Sequence, residues 1–224
     1  MEENRIPAAE QAEAPDKKGK KKVKKGWKQE LKEWVVALGT AVIIVAILQS
    51  FLFCIIKVDG QSMETTLHDG ERLFVNVAEV KFSKQIPRNS IVICHYPNRM
   101  NNFLGIIPMK TNFVKRLVAV PGDTVYRENG VTHVVYEEDG QQVDVALDER
   151  YALYFINGSP DDYAPYTLGE DEYFAVGDNR YNSHDSRDWN DSDDSNDVGP
   201  ITKDMVVGRV RQVLWPIGSI RAAK

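Results

Sequence analysis

Ser62 is the first residue of this sequence that could carry out nucleophilic chemistry. It lies in a polar segment, GQSMETTLHDGERLFVN, that follows an apolar run and leads into a strand-like stretch. A serine hydroxyl is a weak nucleophile and needs a neighbouring base to accept its proton. The histidines and lysines of the C-terminal part of the chain could provide that base. Function therefore depends on which of them the fold brings to Ser62.

Two side chains farther along the chain are candidate bases. His184 precedes Asp185, which suggests a Ser–His–Asp triad, but sequence neighbours rarely reach opposite sides of one imidazole ring. Lys115 lies in the strand-like stretch NFVKRLVAV. A lysine is protonated at its ordinary pKa of about 10.4, and burial among apolar side chains lowers that pKa. Arg116 would then point to the opposite face, where it could pair with a carboxylate. A solvent-exposed strand lysine is the alternative interpretation of Lys115.

An N-terminal apolar segment indicates that these residues lie beside a membrane. Residues 34–56 contain no charged side chain. A helix of that length spans about 34 Å at about 1.5 Å per residue, which is enough for a hydrocarbon core of about 30 Å. A core helix would be shorter or show a polar face, and a cleaved signal peptide would have a shorter apolar run. We therefore expect one uncleaved transmembrane anchor over residues 34–56.

The charge distribution predicts the orientation of this anchor. Residues 1–33 carry ten basic and seven acidic side chains, and seven of the basic ones are the lysines of Lys17–Lys25. Such a tail is predicted to be disordered, cytoplasmic and attracted to anionic membrane lipid. Residues 57–224 then lie outside the cytoplasm and carry a charge of −8, because the whole chain carries −5. An acidic domain disfavours nucleic acid as a partner.

The pattern of residues 57–224 predicts a mainly β fold. Short stretches rich in β-branched and aromatic residues alternate with turn signals, and Asp139–Gly140 marks the clearest hairpin. We expect a barrel-like or sandwich-like β domain. Cys54, in the apolar segment, and Cys94 are expected to be unpaired, and the sequence has no Cys/His spacing typical of zinc.

One loop of that domain, residues 185–197, is acidic and polar throughout. An EF-hand calcium loop needs a glycine and a closing glutamate at fixed positions, and this loop contains neither residue type. We interpret it as a solvated acidic loop.

Three segments carry a resemblance to a known family. They are GQSMETTLHDGERLFVN, FVKRLVAVPGDTV and GDNRYNSHDSR, in this order behind the apolar segment. Together they resemble the type I (bacterial) signal peptidases, and in particular the single-anchor forms of Gram-positive bacteria. The resemblance implies a signal-peptidase-like, complex β fold in which Ser62 is the nucleophile and Lys115 is its general base.

The resemblance also implies roles for residues around this pair. Ser183 would hydrogen-bond the lysine amine and orient it. Asp185 and Arg187 would form an ion pair that supports the site, with Arg116 as a further partner. Asp178 belongs to the same segment and would also support the site.

Further implied features concern the oxyanion and the substrate. The oxyanion would be held by the backbone N–H of Ser62, and Gly60 stands where some members of the family add a hydroxyl. The substrate would bind as an extended strand at a sheet edge, with small side chains in shallow apolar pockets. The residues that match those pockets are Val58, Met63, Leu67 and Val114. The chain departs from the family pattern at Thr65, where a proline is usual, and in its longer acidic insert.

The resemblance implies a membrane-anchored serine endopeptidase that cleaves N-terminal signal peptides from exported preproteins at the cell membrane, without a metal or cofactor. Its partners would be those signal peptides, membrane lipid and, as a candidate, the secretion translocon. Two alternatives are the same chemistry on a narrow substrate, such as a pilin or one surface protein, and a non-catalytic β domain that binds a partner or calcium. The joint presence of Ser62, Lys115 and Ser183 favours an enzyme.

Overall fold

The structure is a computed structural model, and the residues it describes are 26–103, 107–150, 152, 162–188 and 197–224. Contacts between residues divide the chain into two units, residues 1–43 and residues 44–224. The predicted disordered tail falls mostly on residues 1–25, which lie outside the described residues.

Helix α1 (Trp27–Phe51) is the long N-terminal helix of the chain. Its stretch Trp27–Leu48 has a mean hydropathy of 2.1, is not buried, and is long and apolar enough to cross a membrane. The helix differs in position from the predicted anchor over 34–56. It begins at Trp27, within the predicted tail, and so includes the charged residues Lys28, Glu30, Lys32 and Glu33.

The C-terminal end of the predicted anchor is a strand and not a helix. Phe53–Lys57 form β1, which pairs along its length with Arg72–Asn76. Hydropathy alone cannot separate the two structures, because Phe53, Ile55 and Ile56 suit an apolar helix and a β-strand equally well. Cys54 therefore belongs to the sheet, and both it and Cys94 are free thiols.

The remaining elements of the described chain are mostly strands. Those before the hairpin are β2 (Arg72–Asn76), α2 (Val77–Phe82), β3 (Ile91–Phe103), β4 (Ile107–Ala119) and β5 (Thr124–Glu128). Those that follow are β6 (Val131–Glu138), β7 (Gln141–Ala146), β8 (Tyr163–Thr167), β9 (Glu172–Val176), β10 (Ile201–Thr202), β11 (Val206–Trp215) and β12 (Arg221–Ala222). Short 3₁₀ helices occupy Lys203–Met205 and Ile217–Ser219.

These strands form two antiparallel sheets. The larger has the order β1-β2-β11-β3-β4-β9-β10, with β12 beside β11, and the smaller has the order β7-β6-β5-β8. The prediction of a mainly β fold with one N-terminal apolar helix is confirmed. The hairpin at Asp139–Gly140 is also present, since Glu138 pairs with Gln141 and both turn residues have the positive φ that such turns require.

The centre of the larger sheet positions the residues of interest. Lys115 in β4 pairs with Val92 in β3, and Arg116 pairs with Ile91. Alternation along the strand directs the two cationic side chains to opposite faces, and each residue is at least 97% buried. Both charges therefore need compensation or neutralisation within the protein.

Candidate active site

Ser62 lies in a compact turn between β1 and β2. The amides of Thr66 and Leu67 both donate to the Met63 carbonyl at 2.9 Å. Gly60 has a φ of +100°, a conformation that favours glycine, and its N–H donates to Asp69 Oδ1 at 2.9 Å. These contacts fix the backbone on both sides of the serine.

The side chain of Lys115 reaches this serine from the larger sheet. Lys115 Nζ lies 3.0 Å from Ser62 Oγ, which is within the range for direct proton transfer. Burial lowers the pKa of Lys115, and the positive charge of Arg187 lowers it further, while Asp185 acts in the opposite direction. A neutral amine at this position can accept the proton of the serine hydroxyl.

A buried carboxylate organises the loop that follows β9. Asp185 accepts hydrogen bonds from the Gly177 N–H at 2.9 Å and from Ser183 Oγ at 2.5 Å. Arg187 Nε also donates to Asp185, at 2.7 Å. Burial acts to raise the pKa of Asp185, but the pairing with Arg187 prevails and holds it at about 2. Asp185 is therefore an ionised anchor for the loop.

Among the described residues, Ser183 forms no hydrogen bond with the lysine amine. Its hydroxyl donates to Asp185, and the hydrogen bond of Lys115 among the described residues is to Ser62. The resemblance implied a hydrogen bond between Ser183 and the amine. The Ser183 hydroxyl donates to the Asp185 carboxylate instead, because an ionised acceptor forms the stronger hydrogen bond.

The second cationic residue of β4, Arg116, pairs with Asp178. Arg116 Nε and Nη2 donate to the two oxygens of Asp178 at 2.8 and 2.7 Å, a bidentate arrangement. Thr66 Oγ1 also donates to this carboxylate, at 2.5 Å. The partner of Arg116 that the resemblance implied was the Asp185–Arg187 pair, and the bidentate partner in this structure is Asp178. Alternation on β4 sends Arg116 to the other face, so Asp178 links the strand, the nucleophile's turn and the loop after β9.

The loop after β9 also contacts the nucleophile's own backbone. The Asn179 N–H donates to the Ser62 carbonyl at 3.0 Å, and Asn179 Nδ2 donates to the Gln61 carbonyl at 3.1 Å. At Gly177 an added Cβ would lie 2.5 Å from the Ser62 carbonyl oxygen. The sequence assigns no role to Thr66 or Gly177, and it contains no local signal for this close approach.

The four apolar residues assigned to substrate pockets share one cluster beneath the nucleophile's turn. Val58, Met63 and Leu67 are almost fully buried, and Val114 is half-buried against them. Their role in binding a substrate stays a prediction.

An open pocket of about 560 Å³ adjoins the nucleophile, and its lining consists of Asp59, Gly60, Gln61, Ser62, Asp69 and Asn182. Within the described part of the chain, the Ser62 N–H donates to no acceptor. It is therefore available for a developing oxyanion, whereas the Gly60 N–H is engaged by Asp69.

The other predicted features lie at the margin of the site. His184 pairs with Asp188 at 3.1 Å and stacks on Tyr96, whereas the amine in contact with Ser62 Oγ is that of Lys115. The predicted acidic loop, 185–197, is described only at its ends, because residues 189–196 lie outside the described residues. Those ends are joined, since the Asp188 carbonyl accepts from the Val198 N–H at 2.8 Å.

Comparisons with known proteins match nearly the whole chain. A family model described as "Signal peptidase, peptidase S26" matches residues 31–215. A signal peptidase I of Bacillus amyloliquefaciens is 34% identical over 206 residues, which is 91% of this chain and 98% of that relative. Signal peptidase I P of Bacillus subtilis subsp. natto is 35% identical over 197 residues, which is 88% of this chain and 95% of that relative. A crystal structure of a signal peptidase I from Enterococcus faecalis V583 has 22% identity and a TM-score of 0.36, and it covers 55% of this chain and 95% of that chain.

Proposed function

Because the chain belongs to the peptidase S26 family of signal peptidases, we propose that Ser62 and Lys115 are the catalytic pair with which it cleaves signal peptides from preproteins. The observation that supports this pair is the 3.0 Å contact between Lys115 Nζ and Ser62 Oγ, at a lysine that is only 2% exposed. In this proposal the protein is a membrane-anchored serine peptidase whose nucleophile and base are in direct contact.

The proposed reaction follows from these positions. Neutral Lys115 takes the proton of Ser62 as Oγ attacks the carbonyl of the scissile bond. The Ser62 N–H stabilises the oxyanion, and protonated Lys115 gives its proton to the departing amine. A water molecule, deprotonated by Lys115, then hydrolyses the acyl-enzyme and regenerates the serine. This sequence of steps uses no metal or cofactor.

The supporting residues act on the position of this pair. The Asp185–Arg187 ion pair and the Arg116–Asp178 ion pair hold the loop after β9 against the nucleophile's turn. Ser183 would act through Asp185, to which it donates. These roles are positional, because none of the four charged groups lies between the lysine and the serine.

An edge of β4 offers a place for the substrate. Between Lys110 and Lys115 this strand pairs with β3, and its pairing with β9 begins only at Arg116. Along the described strands, the other edge of 110–115 therefore has no partner. A signal peptide in extended form would add to that edge and pass Ser62, with its small side chains over Val58, Met63, Leu67 and Val114.

The proposed topology places residues 1–33 in the cytoplasm and the β domain outside it. The lysine-rich segment Lys17–Lys25 supports this orientation at the cell membrane, because basic flanks stay cytoplasmic and favour anionic lipid. The exposed apolar surface of Trp27–Leu48 supports a single crossing. The secretion translocon is a partner consistent with this location.

The decisive experiment compares cleavage of a purified preprotein by the wild type, Ser62→Ala, Lys115→Ala and His184→Ala, each as the full chain in detergent. We expect the first two variants to be inactive and His184→Ala to retain activity. Activity in Lys115→Ala together with its loss in His184→Ala would assign the base to histidine. If the wild type leaves a general preprotein intact, pilin and surface-protein precursors test the narrow-substrate alternative.

A further inference from the structure

A second group of buried charges lies next to the site, and two of its three members, Arg127 and Glu149, lie outside the segments that carry the family resemblance. Glu149, after β7, pairs with Arg127 in β5 and with Arg180 in the loop that follows β9. The side chains of Arg127, Glu149 and Arg180 are 1%, 9% and 2% exposed, respectively. Charges this deeply buried are costly unless they are paired, and the carboxylate of Glu149 is an ion-pair partner of both guanidinium groups.

Glu149 connects the smaller sheet to the loop after β9. One of its oxygens accepts from Arg180 Nη1. The other accepts from Thr132 Oγ1 at 3.2 Å and lies 3.8 Å from Arg127 Nη1. Arg127 Nη1 in turn donates to Thr132 Oγ1 at 3.1 Å. Strands β5 and β6 therefore fix the carboxylate that receives Arg180.

Arg180 extends this connection to the residues around the nucleophile. Its Nε donates to the Gly177 carbonyl at 2.9 Å, and its own carbonyl accepts from Arg187 Nη1 at 2.9 Å. Gly177 donates to Asp185 and lies against the Ser62 backbone. The path from Glu149 to the nucleophile thus consists of direct contacts between buried groups.

We propose that Glu149 is a positioning residue for the reaction, which holds the loop Gly177–Arg187 against Ser62 by neutralising and orienting Arg180. This inference rests on the proposed function of Ser62 and Lys115. Without the carboxylate, Arg180 would lose the ion pair that orients it, and its Nε contact with the Gly177 carbonyl would weaken. The smaller sheet would then no longer fix the loop.

The test uses Glu149→Gln, which keeps the shape of the side chain and removes its charge. The matched control is Asp148→Asn, because Asp148 is the adjacent carboxylate but is 61% exposed and pairs with Arg150 on the surface. Both full-length proteins are assayed in detergent on a preprotein-derived peptide, with kcat and KM separated. Hydrogen exchange of the segment Gly177–Asp188 is followed in parallel.

We expect Glu149→Gln to lower kcat by about 10- to 100-fold, the range for small displacements of a reacting group, with KM unchanged. Exchange of the 177–188 segment should become faster, and Asp148→Asn should resemble the wild type in both measurements. Wild-type kcat and wild-type exchange in folded Glu149→Gln would overturn the proposal, even if that variant melts at a lower temperature. Equal effects of the two substitutions would overturn it as well.

Thr132→Val tests the same connection if Glu149→Gln fails to fold. It removes the hydroxyl that bridges Arg127 and Glu149 without changing the charge, and it should lower kcat in the same direction by a smaller factor. Wild-type kcat in this variant would contradict the proposal.

Hydrogen exchange does not depend on the catalytic assignment. An inactive wild type, or an active Ser62→Ala, would therefore refute the proposed function separately from the role of Glu149.

Discussion

Replacing Gly177 with alanine should remove most of the activity, because an added methyl group has no room beside the nucleophile. The Cβ of an alanine at this position would lie 2.5 Å from Ser183 Cβ and 2.5 Å from the Ser62 carbonyl oxygen. Non-bonded carbon atoms are in favourable contact at about 3.5–4.0 Å. The loop after β9 and the nucleophile's turn would therefore have to separate by roughly 1 Å.

The size of that displacement sets the expected effect. A misplacement of about 1 Å can lower a catalysed rate by about 10², so kcat of Gly177→Ala should fall by about two orders of magnitude. Overpacking of this kind destabilises a protein by about 1–3 kcal/mol. For a domain of this size that corresponds to a decrease in Tm of about 2–4 °C per kcal/mol, so the variant should still be folded at the assay temperature.

Gly208→Ala provides the matched control. An added Cβ there would lie 2.7 Å from Val75 Cγ1 and 2.9 Å from the Asn76 carbonyl oxygen, between β11 and β2. It should cause a similar loss of stability without moving the nucleophile. The two variants are compared as full-length proteins in detergent, by thermal unfolding and by kcat on a preprotein-derived peptide.

Two results would refute this reasoning. Wild-type kcat in Gly177→Ala would mean that catalysis does not require the close approach of the loop to Ser62. A fall of kcat in Gly208→Ala as large as that in Gly177→Ala would mean that the loss follows stability and not the geometry of the site.

Three further predictions concern the buried charges. Only neutral Lys115 can act as the base, and burial lowers its pKa. Activity should therefore rise with pH to a plateau that begins below the ordinary lysine pKa of about 10.4. A rate that is flat from about pH 6 to 10 would exclude a lysine base. Asp185 has a pKa of about 2, so its ionised form should contribute roughly 2 kcal/mol to the free energy of unfolding above about pH 4. This contribution should be lost as the pH falls through about 2. Urea unfolding measured against pH should show it in the wild type and not in Asp185→Asn. Arg116→Lys keeps the charge but not the bidentate bond to Asp178, so urea unfolding should show that the free energy of unfolding falls by roughly 1.5–3 kcal/mol. The control is Arg211→Lys at an exposed surface pair, which should have no effect. Equal losses in the two variants would show that the bidentate geometry is unimportant.

Local signals made much of the fold predictable from the sequence. The hairpin β6–β7 and the strand that carries Lys115 follow from β-branched residues and turn dipeptides. Strand β8 gave no such signal, because its sequence, YAPYT, contains Pro165 and no β-branched residue before Thr167. Proline is tolerated there because β8 lies at the edge of the smaller sheet. The end of helix α1 could not be predicted, because an apolar strand continues directly from the apolar helix.

The candidate site was predictable only in part. The residue types alone left both Lys115 and His184 open as bases, and the resemblance to a family favoured Lys115. The choice of partner for Arg116 depends on how β4 is oriented and where the loop after β9 lies, and neither is encoded in local pattern. The contact between Arg180 and Glu149 likewise joins segments that are distant in sequence. Such contacts are tertiary, and a single sequence contains no local signal for them.

The arrangement of charges around Lys115 explains how a lysine can act as a base in a site with so many ionised groups. Asp185 alone would stabilise the protonated amine, and Arg187 alone would oppose it, but the two are paired at 2.7 Å. Arg116 is neutralised in the same way by Asp178. Because Asp185 and Asp178 each have their own guanidinium, their fields are largely compensated, and burial is the main determinant of the lysine pKa. Loss of Arg187 would leave Asp185 uncompensated beside the amine, which would raise the pKa of Lys115 and disfavour the neutral form that accepts the proton of Ser62.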